Sequence, residues 1–547
     1  MKVARNPKHA TRAFVTNDEN ETPTNGSIGS SGEGDDVRQL LRATILARKE
    51  HGGGDVLPAL LARRCCEFYA GLDMDERINF LTILSRDFDV DRTHALAAAQ
   101  SYIDKSHSLD DDYQGPVSAT PRINRHEREL RAALRPLYEQ FFDQINRLPE
   151  GMAFLVGMRG DVLKILQSHP TPPLRHLSTS LLTHLQQTFS TTTLDLRPLT
   201  WETTPASILE LIAHYEAVHA VPTWQQLKRR LMGPNRLCYA FFHKGMPGVP
   251  LTFVMVALVG SVPESVQDIL NDPDPNATVP TAGVFYSISS SQKGLSGVDL
   301  GNFLIKRVVA ELQSRHPTTS GGSQIKTFVT LSPIPRFRIW LETALNHEMT
   351  IKGPPPAPLL LESEVVTLGE GADVKTFKTL LEQNHLTPAL KPILLRLCAR
   401  YLLLEKKRAA ILDPVANFHI RNGACVQRLN WMGDTSEKGI AQSYGIMVNY
   451  NYVLPRLHEN NMRYLLDGTV PVIQPVVDDS VKWAVAQATT LVDKTTTTTT
   501  NNNNNNNNNT DDHDMASAQD RRKVAKIALV TVDVDMDAGT RPPQPKL

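Results

Sequence analysis

Apolar residues recur at helical spacing from Asp36 to about Ser190. Val37, Leu40, Leu41 and Ile45 form one stripe behind the acidic cap candidates Asp35 and Asp36. Ile78, Leu81 and Leu84 form another. A longer stripe of Leu130, Leu134, Leu137, Phe141, Ile145 and Leu148 is kinked or restarted at Pro136, because proline cannot sit inside a regular helix. The pattern predicts an all-α helical bundle over residues 36–194. After the stretch Ser190 to Thr193 the period changes. Thr204 and Pro205 read as a helix cap and first-turn proline ahead of Ile208, Leu211 and Ile212. Runs rich in β-branched and aromatic residues follow at Leu237 to Phe242, Leu251 to Val259, Val284 to Ser289 and Lys326 to Leu331. Helical patterns at Gly301 to Arg315 and Lys391 to Arg408 interleave with them. The whole predicts a mixed α/β domain over residues 195–483, with Gly353 to Pro358 as a loop or small insertion, and hence a multidomain α+β chain.

The two ends lack such patterning. Residues 1–35 hold little apolar content and read as disordered, as do residues 484–547, which contain the homopolymer tracts Thr495 to Thr500 and Asn501 to Asn509. Within the tail, Ile527 to Val534 alternates like a strand; the sequence leaves open whether it pairs. Lys2, Arg5, Lys8 and Arg12 precede the first acid, Asp18, a charge pattern of organellar presequences on a poor apolar face.

A chain of 547 residues carries 58 basic and 58 acidic side chains and no net charge, so there is no electrostatic case for nucleic acid or a membrane surface. The Lys228 to Arg230 cluster reads as a solvated helix face. The apolar run from Leu251 is too short to span a bilayer. Cys65, Cys66, Cys238, Cys398 and Cys425 are scattered, without metal-site or disulfide spacing. Cys425 follows His419 by six residues, but a buried thiol is the plainer reading.

Three segments carry candidate chemistry. Val284 to Arg315 reads as strand, Gly-rich loop and helix; Gly294, Gly297 and Gly301 free the backbone, and a helix N-terminus beside such a loop suits a pyrophosphate. Ser332 follows a strand and precedes Pro333 and Pro335, which fix it at a sheet edge. No Gly-x-Ser-x-Gly elbow surrounds it. His419 lies between an apolar run and Asn422-Gly423, an arrangement that suits a histidine at a strand end, held by amide neighbours and titrating near working pH.

Longer words around these segments resemble malonyl-CoA decarboxylases. They are Thr281-Ala-Gly-Val-Phe-Tyr-Ser-Ile-Ser289, Gln292-Lys-Gly-Leu-Ser-Gly-Val-Asp-Leu-Gly301, Leu331-Ser-Pro-Ile-Pro335, Asp413-Pro-Val-Ala-Asn-Phe-His419, Arg428-Leu-Asn-Trp-Met-Gly-Asp434 and Tyr444-Gly-Ile-Met-Val-Asn-Tyr450, with Glu216-Ala-Val-His219 upstream. The similarity is dense from about Trp201 to about Leu466. Gln292 to Gly297 also resembles the pyrophosphate loop of GNAT-type acyltransferases, in a shifted glycine register. The resemblance implies a GNAT-like catalytic domain behind a helical module that serves assembly or regulation. It implies Ser332 and His419 as the catalytic pair, and Ser296, Gly297, Val298, Asp299, Leu300, Gly301 and Asn302 as the malonyl-CoA and acetyl-CoA loop. Asn417, Tyr452 and Lys293 are supporting candidates, with Lys306 and Arg307 further cations for the CoA phosphates. Expected chemistry is decarboxylation through a thioester enolate protonated by His419, with Ser332 assisting by binding the carboxylate or relaying a proton, with Asn417 assisting the histidine, and without metal or organic cofactor. A GNAT-type acyltransferase and a non-catalytic CoA sensor are the alternatives, the latter favoured if Ser332 and His419 lie far apart. A homo-oligomer formed through the helical domain is expected. Pro545-Lys546-Leu547 resembles a peroxisomal address read by an import receptor, with cytoplasm and mitochondrion as alternative compartments.

Overall fold

The structure is a computed structural model that describes residues 32–50, 56–110, 121–272, 279–315, 325–351, 358–369, 371–384, 386–408, 410–474, 478–487 and 526–531. The basic stretch at the start, the proline-rich insertion, the Thr and Asn tracts and the C-terminal tripeptide lie outside the described residues. The chain divides into two compact units, residues 1–181 and 182–547.

The first unit is helical: α1 (Gly32–Glu50), α2 (Val56–Gly71), α3 (Met74–Asp87), α4 (Arg92–Asp110), α5 (Pro121–Ala133), α6 (Leu137–Ile145), α7 (Gly151–Ser168) and α8 (Pro172–Thr188), within which the boundary falls. Leu41, Phe80, Leu84, Phe141, Phe142, Ile145, Leu155 and Val162 are buried, each contributing about 1.5–3 kcal/mol relative to exposure. The long stripe restarts at Pro136, which caps α6. Asp73 and Glu76 close a reciprocal capping box at α3. Helix α1 begins at Gly32, so Asp35 and Asp36 lie inside it instead of capping it.

The second unit is mixed. In chain order it holds β1 (Leu194–Leu199), α9 (Ala206–Tyr215), α10 (Trp224–Leu231), β2 (Arg236–His243), β3 (Thr252–Val259), α11 (Val266–Leu270), β4 (Ala282–Ser290), α12 (Leu300–Arg315), β5 (Thr327–Thr330) and β6 (Ser332–Pro333). There follow α13 (Phe337–Thr350), α14 (Glu362–Leu368), α15 (Val374–Glu382), α16 (Leu390–Leu403), β7 (Lys406–Lys407), β8 (Ala410–Ile411), α17 (Pro414–Arg421), β9 (Cys425–Asn430), α18 (Glu437–Ser443), β10 (Met447–Asn451), α19 (Leu457–Asp467), β11 (Val470–Gln474) and β12 (Ile527–Thr531). The main sheet runs β1-β2-β3-β4-β5-β10-β9-β11-β12, with β6 also on β10. β1 to β4 are antiparallel, β4 and β5 parallel, and β10 antiparallel to both β5 and β9. Cys238, Ala240, Phe242, Phe253, Met255, Ala257, Tyr286, Leu331 and Met447 form one core with Leu209 and Ile212 of α9 and Leu227 and Leu231 of α10.

Several elements depart from the sequence pattern. The run Lys391 to Arg408 is not one helix: α16 ends at Leu403 and the chain reverses through β7 and β8, with Arg408 in the left-handed region. The hairpin is held by the Tyr464 hydroxyl, which accepts the Ile411 N–H at 2.9 Å, a tertiary contact that overrides helix propensity. Pro205, not Thr204, occupies the cap of α9, and Thr204 Oγ accepts the Thr200 N–H instead. Arg230 is buried, not on a solvated face. The tail segment does pair: β12 runs parallel to β11, Ile527 opposite Val470. Among the described residues, no helix is long and apolar enough to cross a membrane.

Candidate active site

The central cavity follows from where two parallel strands part. β4 and β5 pair from Ala282 opposite Thr327 to Phe285 opposite Thr330, and the Leu331 N–H donates to the Phe285 carbonyl at 3.0 Å. Beyond that point β4 bulges at Tyr286 and runs on beside β3, while the other chain turns into β6 and pairs with β10. The gap opens a cavity of about 350 Å³, whose walls include Phe285, Ser287, Leu295, Ser296, Gly297, Leu331, Ser332, Phe418 and His419.

His419 is on a helix, not at a strand end. Asp413 caps α17 by accepting the N–H groups of Val415 at 2.9 Å and Ala416 at 2.8 Å, and Pro414 occupies the first helical position. Asn422-Gly423 then ends the helix; Gly423 has φ 88°, and a Cβ there would overlap the Leu457 carbonyl. This short helix carries Phe418 and His419 into the cavity wall. His419 Nε2 lies 3.1 Å from Ser332 Oγ, and Nδ1 lies 2.8 Å from the Tyr452 hydroxyl. The imidazole stacks on Tyr450 with ring centres 4.7 Å apart. Ser332 donates to Thr330 Oγ1 at 2.9 Å, and the same oxygen accepts the Tyr450 N–H at 3.1 Å. With Ser332 donating outward, the consistent tautomer has the Tyr452 hydroxyl donating to Nδ1 and Nε2–H pointing at Ser332.

Burial decides the charge of this site. His419 is 3% exposed and Ser332 5%. Loss of water pushes the imidazole down to about 3, so it is neutral across ordinary pH rather than titrating near it. The same burial raises the Tyr450 and Tyr452 phenols, which stay protonated. A neutral, oriented donor chain in a water-poor cavity acts most strongly on charge that develops inside it.

The remaining sequence candidates distribute unevenly. Ser296, Gly297, Val298, Leu300 and Gly301 line the cavity; Asp299 and Asn302 do not, and bond to each other at 3.2 Å. The Ser296 N–H donates to the Lys293 carbonyl, and the Val298 N–H to that of Leu295. Gly297 has φ 89° and its carbonyl accepts from Gln186, while a Cβ on Gly301 would meet the Phe418 ring at 3.0 Å. Gly301 thus lets α12 and α17 approach. Lys293 and Lys306 are exposed, and Arg307 faces a separate hollow beside Tyr239 and Arg315. The Asn417 side-chain carbonyl accepts the Tyr464 hydroxyl at 2.6 Å, and the neighbour at His419 Nδ1 is the Tyr452 hydroxyl. Cys425 is buried, bonds Asn460 and has its thiol pushed up to about 12 by burial, so no Cys–His pair forms.

Thr330 and Tyr450 were not singled out from the sequence. The first stands two residues before Ser332 on extended chain, a spacing that shares a face. Asp413-Pro414, a cap and first-turn proline, was the available signal for α17.

Comparison with known proteins adds to this geometry. A family model described as the malonyl-CoA decarboxylase C-terminal domain matches residues 192–491, and one for the malonyl-CoA decarboxylase N-terminal domain matches residues 88–191. The chain is 38% identical over 459 residues to a malonyl-CoA decarboxylase, mitochondrial, of Anser anser anser, covering 80% of this chain and 87% of that one. With the protein of the same name from Mus musculus it shares 38% over 444 residues, or 78% and 87%. The crystal structure of malonyl-CoA decarboxylase from Rhodopseudomonas palustris aligns with TM-score 0.65 at 32% identity, covering 81% of this chain and 98% of that one. That from Agrobacterium vitis aligns with TM-score 0.64 at 31%, covering 82% and 99%.

Proposed function

The chain belongs to the malonyl-CoA decarboxylase family, and from that premise we propose that the buried pair of Ser332 and His419 carries the chemistry. The protein is a carboxy-lyase that converts malonyl-CoA to acetyl-CoA and carbon dioxide. The observation that supports the residue assignment is the 3.1 Å contact between Ser332 and His419 in a cavity whose wall also includes Ser296, Gly297 and Gly301.

In the proposed reaction the bond between the carboxylate and the central carbon breaks. Its electron pair moves onto the thioester carbonyl oxygen, carbon dioxide leaves, and the carbon takes one proton. The thioester is itself the electron sink, so the reading assigns no role to a metal or organic cofactor. A neutral imidazole is a poor proton donor, but a carboxylate entering beside it favours the charged form. Substrate and proton therefore enter together: the proton is taken up at Nδ1, where the Tyr452 hydroxyl turns to accept from it, and His419 gives its Nε2 proton to the enolate carbon. Ser332 holds the carboxylate before it departs, and Tyr452 fixes the imidazole. The loop Ser296 to Asn302 receives the CoA phosphates. Purified protein with malonyl-CoA and no acceptor should give acetyl-CoA and carbon dioxide in equal amounts; an acyltransferase would be idle. The CoA-sensor alternative expected a distant Ser332 and His419.

Assembly through the helical unit is supported by the exposed Val56, Leu60 and Leu96 on its helices, and sedimentation tests it. For compartment, the relatives are named mitochondrial, which supports the mitochondrion.

A further inference from the structure

Side chains take over part of the sheet where Ser332 and His419 meet. β5 and β10 are antiparallel, with Val329 opposite Asn451, and the Tyr452 N–H donates to the Phe328 carbonyl at 2.8 Å. Hydrogen-bonded pairs alternate along such strands, so Thr330 and Tyr450 are the next residues placed to exchange backbone bonds. One half of that exchange is diverted. The Tyr450 N–H goes to the Thr330 hydroxyl oxygen at 3.1 Å, and the Thr330 carbonyl accepts the side-chain amide of Asn449 at 2.8 Å. Asn449 in turn accepts the side-chain amide of Asn430, from β9, at 2.8 Å. Thr330, Asn449 and Asn430 are all buried.

The diversion makes Thr330 Oγ1 a fixed acceptor beside Ser332. The Tyr450 N–H fills one of its lone pairs, and the Ser332 O–H donates into the other at 2.9 Å. A serine whose hydrogen is engaged there offers lone pairs to His419 Nε2 at 3.1 Å, so that nitrogen carries the hydrogen. The Tyr452 hydroxyl then donates to Nδ1. Neither Tyr452 nor Ser332 fixes this direction alone, because each hydroxyl can both donate and accept. Thr330 is not part of the cavity wall, so it acts through Ser332.

We propose that Thr330 is a positioning residue that sets the direction of the hydrogen-bond chain through Tyr452, His419 and Ser332, and so keeps the imidazole hydrogen on Nε2. The inference rests on the decarboxylase reading, which assigns the Nε2 proton to the enolate carbon. Without the Thr330 oxygen the Ser332 hydrogen turns to Nε2, the imidazole hydrogen moves to Nδ1 and the chain reverses. The nitrogen that must give up a proton then starts as an acceptor already occupied by the serine.

The test is Thr330→Val, which removes the oxygen and keeps the shape. Nitrogen NMR of the full-length protein with labelled histidine, free of substrate at neutral pH, shows which ring nitrogen carries hydrogen. The His419 signals are those that vanish in His419→Asn. Wild type should show Nε2–H, Thr330→Val should show Nδ1–H, and Thr330→Ser, which restores the acceptor, should return Nε2–H. Turnover of malonyl-CoA by Thr330→Val should fall about 10-fold in kcat with KM changed less, the scale of one neutral hydrogen bond, and Thr330→Ser should recover it. Nε2–H in a folded Thr330→Val protein overturns the inference, as does Nδ1–H in the wild type. The NMR result needs no turnover, so a wild type inert toward malonyl-CoA sinks the decarboxylase reading separately. Should Thr330→Val fail to fold, Thr330→Cys decides: its sulfur is a weak acceptor, and His419 signals unchanged from wild type again overturn the proposal.

Discussion

Tyr452→Phe isolates the hydrogen bond at Nδ1 of the imidazole to which the proposed reaction assigns the proton. The substitution keeps the ring, which is edge-on to Phe285 at 6.4 Å, and removes only the hydroxyl 2.8 Å from His419 Nδ1. Tyr452 is not part of the cavity wall, so the substrate should bind as before. What changes is the imidazole. Its Nδ1 loses its partner at a buried position, and a buried polar atom left unpaired costs about 1–3 kcal/mol. The proton is then free to move to Nδ1, which strips Nε2 of the hydrogen aimed at Ser332. Converted at about 1.4 kcal/mol per decade, that cost predicts a fall in kcat of about 5- to 150-fold with KM little altered. Acetyl-CoA formation from malonyl-CoA under steady-state conditions measures both constants, and a thermal melt shows whether the variant is folded. A folded Tyr452→Phe protein with wild-type kcat would refute the argument that this hydroxyl sets the tautomer.

Asn417→Ala should do the opposite: its partner is Tyr464, not His419, so stability drops by about 1 kcal/mol while kcat is retained; urea midpoints and turnover check the two halves. The pH profile follows from the depressed imidazole. A histidine of pKa 6.5 would give a plateau in kcat/KM below that value, whereas one at about 3 that must gain a proton with substrate gives a kcat/KM that falls steadily from about pH 5 to about pH 8. Ser332→Ala should lower kcat and raise KM, since its hydroxyl holds the ground-state carboxylate. Paired with His419→Asn it should be little worse than the poorer single variant, because groups that act as a unit are not additive.

The helical unit and the alternation of strands and helices after it were legible because each depends on local period. Pro136, the apolar face of α12 and the buried run of β3 needed no long-range information. Ser332 was legible too, since prolines on its C-terminal side make it the abrupt end of a strand. The setting of His419 was not. Asn422-Gly423 suggests a strand turn, and only the Asp413-Pro414 cap, read together with the apolar spacing after it, reveals α17. The partners of His419 are distant in the chain, Ser332 in β6 and Tyr452 just after β10, and nothing local distinguishes Tyr452 from a core aromatic. Arg230 misled for the same reason: Lys228 and Arg229 beside it suggest solvent, yet its targets are the carbonyls of a loop ten residues back. Charge in a sequence reports what a side chain carries, and burial reports what the fold makes of it. The low proton affinity of His419 arises entirely from burial, which no motif encodes.

The central claim is that His419 delivers the proton that ends the reaction, and His419→Asn tests it most directly. Asparagine fills similar space but cannot donate a proton as an acid. With malonyl-CoA as sole substrate, a folded His419→Asn protein should lose about 10²–10⁴-fold in kcat with KM changed far less. A folded variant that still forms acetyl-CoA at the wild-type rate would contradict the account and leave the cavity as a binding site whose chemistry lies elsewhere.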